Sequence, residues 1–70
     1  MRAYNLFRRK GRAALFCAVP EDLAVPSFVT DENWAFERTI GAGGAMPPGF
    51  DEVGAEIGAR FNGFYLFQEI

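Results

Sequence analysis

The sequence predicts an α+β domain: a small, mostly antiparallel sheet of three to four strands with one helix packed on one face, in the order β-β-β-α-β. Three observations carry this expectation. Two segments rich in aromatic and apolar residues, 3–8 and 13–19, flank a short charged tip that contains one glycine. Residues 33–40 alternate between apolar and polar side chains, as a half-buried strand does. From Phe50 onward the apolar residues follow helical spacing until Asn62-Gly63, where a last apolar run begins.

In the first unit, a hairpin, Gly11 is the residue best suited to the positive φ of a tight loop. The second strand is apolar on both sides, with Leu15, Cys17 and Val19 alternating with Ala14, Phe16 and Ala18, which places it centrally. Pro20 ends it, because proline supplies no ladder donor. Residues 23–29 have two prolines nearby and no clear period, so they read as an irregular or edge segment. In the third strand Trp34, Phe36 and Ile40 share a side, with Arg38 as the exception. Residues 41–49 hold four Gly and two Pro and read as a connecting loop.

The helix carries Phe50, Val53, Ile57 and Phe61 at spacings of three, four and four, which reads as an apolar stripe facing the core. Asp51 and Glu52 suit its positive end and Arg60 its negative end. Gly54 and Gly58 border the stripe and either let the helix lie close on the sheet or form a helix dimer contact. The final strand, 63–70, is apolar on both faces and reads as internal to the sheet. Eight Phe, one Trp and two Tyr give this 70-residue chain the large buried side chains that short domains need. No repeat, linker or second domain is visible.

Composition excludes more functions than it selects. There is no His, one Cys and one Ser, so zinc sites with the usual ligand sets, His-assisted nucleophiles and an internal disulfide all lack their parts. No cofactor is expected. An enzyme would have to rely on carboxylates such as Glu37 or Glu56, and the adjacent Asp51 and Glu52 are explained by the helix start. The expectation is therefore a protein without catalytic activity. The glycine-rich loop lacks the Lys-Ser/Thr that completes a phosphate loop, which leaves a small-ligand groove beside it as a further reading. Cys17, among apolar neighbours, reads as a core thiol.

Charge is unevenly distributed. Arg2, Arg8, Arg9, Lys10 and Arg12 precede every acid, while Arg38 and Arg60 are the cations of the remainder, against nine acids. Arg8, Arg9, Lys10 and Arg12 form a candidate basic patch at the hairpin tip, which opens a nucleic-acid reading. The order of elements does not fit an RNA-recognition motif, and Arg60 to Phe67 echoes its basic-aromatic strand only faintly. The apolar stretch after the basic residues is seven residues long, at the lowest end for a secretory signal, so the expectation is a cytoplasmic protein that does not enter membranes.

The segments Cys17-Ala18-Val19-Pro20-Glu21-Asp22 and Arg60-Phe61-Asn62-Gly63-Phe64-Tyr65-Leu66-Phe67 resemble a short bacterial protein, a likeness that implies no activity. One helix covers one face of a sheet, so apolar residues on the other face need a cover. Trp34, Phe36, Tyr65 and Phe67 are the candidate interaction surface, for a homodimer or a protein partner. The alternative is that residues 23–29 fold over that face and close the core.

Overall fold

A computed structural model describes residues 3–11, 14–41 and 46–69. Its elements are β1 (Tyr4–Arg9), β2 (Leu15–Pro20), β3 (Trp34–Ile40), α1 (Glu52–Asn62) and β4 (Tyr65–Gln68), with a 3₁₀ turn at Ser27–Thr30 between β2 and β3. All strand pairs are antiparallel and the sheet order is β3-β1-β2-β4. The architecture is the small α+β fold expected. At the hairpin tip Gly11 takes φ 77°, the left-handed conformation anticipated for it.

Alternation along the strands sorts the apolar side chains into two layers. On the helix side Tyr4, Leu6, Phe16, Ala18, Ile40 and Phe67 pack with Ala55 of α1, joined by Met46, Phe50 and Tyr65. On the opposite side Cys17, Val19 and Trp34 pack with Val29 of the 3₁₀ turn, joined by Phe7, Leu15 and Phe64. Phe28, also from that turn, sets its ring edgewise against both Trp34 and Phe64. Phe28 and Val29 of the proline-flanked segment thus cover part of the second face, while Leu23 and Val25 of the same segment and Phe36 of β3 stay exposed.

Two strand expectations need correction. Trp34 and Ile40 do not share a face, because the register between β1 and β3 shifts: Leu6 pairs with Arg38 and Phe7 with Phe36, leaving Glu37 as an extra, unpaired residue. This β-bulge reverses the alternation, so Trp34 and Phe36 point to the 3₁₀ side and Ile40 to the helix side. Arg38, opposite Leu6, shares the helix side with Ile40 and remains an exposed cation there. In turn, β4 lies at the sheet edge rather than inside it, pairing with β2 alone among the strands. Its two-sided apolar character has another origin. Tyr65 and Phe67 lie under α1, Phe64 lies under Phe28, and Leu66 stays half exposed.

The helix is bounded as its ends require. Asp51 is the N-cap, its carboxylate accepting from the Val53 amide at 3.2 Å. Gly63, at φ 84°, closes the other end, its amide donating to the carbonyls of Gly58 and Ala59.

Candidate interaction surface

The orientation of α1 overturns the expected core stripe. Ala55 and Ala59 are its buried residues, and Gly54 and Gly58 lie against β4 beside them. Val53, Ile57 and Phe61 instead face outward, exposed by 68%, 54% and 76%. Val53 and Ala55 are two positions apart, about 200° around the helix, so one of the two sides must be outward. Packing volume decides which. Below the helix the sheet already presents Tyr4, Phe16, Tyr65 and Phe67, and Phe50 wedges among them with centroids 5.2–5.6 Å from Tyr4, Tyr65 and Phe67. That leaves room for a smooth helix face only. A Cβ at Gly58 would sit 2.8 Å from the Phe64 carbonyl oxygen, so the backbones approach as closely as glycine permits. Of the two roles open to this small-residue pair, Gly54 and Gly58 serve sheet packing.

The outward side of α1 forms one wall of a groove. Val53, Ile57, Tyr4 and Met46 supply apolar lining, and Glu52, Glu56 and Arg60 add charge. Its volume is about 250 Å³.

The four aromatics expected to share one surface are divided between the layers. Tyr65 and Phe67 stack on each other beneath α1, 5.7 Å apart, with Phe67 buried. Trp34 is buried on the opposite side under Phe28, and of the four only Phe36 is largely exposed, at 59%. They cannot be covered by a single partner because the sheet itself separates them.

The basic patch is divided as well. Neighbouring residues on a strand point to opposite faces, and Arg8 and Arg9 each find a partner within the chain. Arg8 Nε lies 3.5 Å from Glu37 Oε1, on the bulge residue, and the Arg9 guanidinium sits over the Trp34 ring at 5.7 Å. Lys10 is exposed at the tip, with its amide donating to the Asn33 carbonyl. Arg12 lies outside the described residues, as do residues 42–45 of the glycine-rich loop.

Cys17 is fully buried, and desolvation pushes its thiol up to about 12 from 9.0. The folded chain is expected to resist an aromatic disulfide reagent at pH 8 and to react at once when denatured; fast labelling of the native protein would contradict the burial. The linkage has a definite sign. The unfolded thiol ionises near pH 9 while the folded one resists, so this contribution to stability is intact below pH 9 and is lost as pH rises from 9 toward 12. Urea titrations across that window should show a steeper decline for the native sequence than for Cys17→Ala.

Among the described residues no three or more Cys, His, Asp or Glu gather as a metal site, and no helix is long and apolar enough to cross a membrane. No protein-family model, curated protein or solved structure matches the chain.

Proposed function

We propose that this protein is a non-enzymatic interaction module whose docking surface is the outward side of α1, centred on Val53, Ile57 and Phe61. The observation that supports it is the inversion of the helix, with alanine and glycine toward the core and large apolar side chains toward water. Fully burying a Val, Ile or Phe side chain is worth about 1.5–3 kcal/mol, so three that remain more than half exposed hold a substantial driving force for association. Of the four described large apolar residues that are more than half exposed, three, Val53, Ile57 and Phe61, lie on this side of α1 and the fourth is Phe36.

The competing readings have less support. The described cations at the hairpin tip are split between the two faces, which gives a phosphate backbone no continuous stripe to follow. The groove beside α1, at about 250 Å³, falls below the roughly 300–1,000 Å³ of small-molecule pockets.

Site-specific photo-cross-linking in the producing cell tests the surface. Phe61→benzoylphenylalanine is expected to yield covalent protein adducts, and Glu32→benzoylphenylalanine, at an exposed turn on another part of the molecule, is not. Absence of adducts from position 61, with the chain folded and abundant, would overturn the reading.

A further inference from the structure

Resting on that reading, we infer that the occupant of the α1 surface is a second copy of this chain, paired through an antiparallel helix contact about a two-fold axis at Ile57. The stripe is symmetric about its centre: Val53 and Phe61 each stand four residues from Ile57. Antiparallel pairing about that point sets Ile57 against itself and Val53 against Phe61 of the other copy, so a smaller side chain meets a larger one at each end. An isologous contact of this kind uses the same patch on both partners.

The charges beside the stripe select the orientation. Glu52, Glu56 and Arg60 follow one another at four-residue spacing and form a row one position from Val53, Ile57 and Phe61. In an antiparallel pair this row faces its own copy in reverse. Arg60 then falls level with position 54 of the partner, about 3 Å along the axis from both Glu52 and Glu56. Each arginine is thus set between two carboxylates of the other chain. In a parallel pair the row would instead face the side occupied by Gly54, Gly58 and Asn62, which carries no charge. Flanking charges of this type set partner choice and direction in paired helices. The helix dipoles, opposed in the antiparallel arrangement, favour the same choice.

The helix has 11 residues, about 16 Å of length, so the contact is short. Such an interface lies at or below the standard size of about 1,200–2,000 Å², and a dissociation constant on the order of micromolar is expected.

Sedimentation equilibrium of the purified full chain should show reversible, concentration-dependent dimerisation. Arg60→Glu, and separately the double change Glu52→Lys with Glu56→Lys, should each raise the dissociation constant at least about tenfold, because like charges then oppose one another. Mixed in equal amounts, these two variants present all-acidic and all-basic rows and should form a heterodimer. Circular dichroism confirms that each is folded, the altered positions being exposed. Direction is read by oxidation: Ile57→Cys should form an intermolecular disulfide with itself, and Val53→Cys should couple to Phe61→Cys in preference to itself.

A chain that stays monomeric at millimolar concentration overturns the self-pairing. So does an unchanged dissociation constant in the charge variants, or preferential disulfide formation between two Val53→Cys chains. If the purified chain is monomeric while position 61 still cross-links to a different protein, the second copy is excluded and the docking surface stands; if position 61 yields no adducts at all, both fall.

Discussion

Ala55→Glu is expected to unfold the chain, while Ile57→Glu, two positions away, leaves the stability of the monomer unchanged within about 0.5 kcal/mol. Ala55 has no exposed surface and packs against the aromatic layer of the sheet. A carboxylate there would be taken from water without a partner and would also need space that the close helix-sheet approach does not leave. The unpaired buried charge costs several kcal/mol and the overpacking about 1–3 kcal/mol more, against a core that supplies roughly 3–5 kcal/mol in a domain this small. Ile57 is more than half exposed, and a charge at that position stays solvated. Urea unfolding followed by circular dichroism distinguishes the two, provided the protein is dilute enough that self-association contributes nothing. If Ile57→Glu proved the more damaging change under those conditions, the helix would be turned by about 200° and its outward stripe would be core.

The ambiguity that this pair resolves explains what the sequence makes legible. The helix end follows from local chemistry, Gly63 taking the left-handed stop that Asn62-Gly63 announces. The start does not: Asp51 is the N-cap, which leaves Phe50, counted in the helical stripe, outside the helix. Rotation about the helix axis does not follow from local chemistry. Both sides of α1 are apolar, one in large residues and one in Gly and Ala, and the sheet chooses between them by the volume it leaves. Tyr4, Phe16, Tyr65 and Phe67 fill that volume together with Phe50, a juxtaposition that joins residues distant in the chain. The pattern Gly54-Ala55 and Gly58-Ala59, repeated at four residues, is the signal that points to the observed face once the bulk of the sheet aromatics is weighed against it.

The strands show the same division between local and non-local information. The central position of β2 is legible because its two-sided apolar pattern reflects burial by layers on both faces. The same pattern in β4 arises at an edge, since cover above and below a strand is independent of hydrogen-bonded neighbours beside it. The bulge at Glu37 leaves no trace in sequence, since residues 33–40 read equally well as a regular strand with one polar intrusion at Arg38. Trp34, Phe36, Tyr65 and Phe67 read as one surface for the same reason: strand pattern shows that a face is apolar without showing which layer covers it.

Gly49→Ala is expected to be nearly as destructive as Ala55→Glu, and for reasons of backbone geometry alone. The Phe50 amide donates to the Pro47 carbonyl at 3.1 Å, with Pro48 and Gly49 at the two central positions of the turn and Gly49 at φ 88°. Proline followed by a left-handed glycine is the pairing that a type II turn demands. A methyl group at Gly49 would meet two penalties. The left-handed conformation costs an L-residue about 1–2 kcal/mol, and the new Cβ would overlap the Gln68 carbonyl of β4, for which overpacking costs of about 1–3 kcal/mol are usual. Relief would require the turn to move off β4, carrying with it Phe50, whose ring touches Tyr4, Tyr65 and Phe67. Gly11→Ala provides the internal reference. Gly11 has a similar φ of 77° but nothing within 4 Å of a Cβ, so it meets the conformational penalty without the collision. At about 4–8 °C per kcal/mol for a domain of this size, thermal unfolding should place Gly49→Ala below Gly11→Ala by roughly 5–20 °C. Equal melting temperatures would show that the turn does not rest against β4, and that the end of the glycine-rich segment is the simple connection its composition suggests rather than the anchor that seats Phe50 in the core.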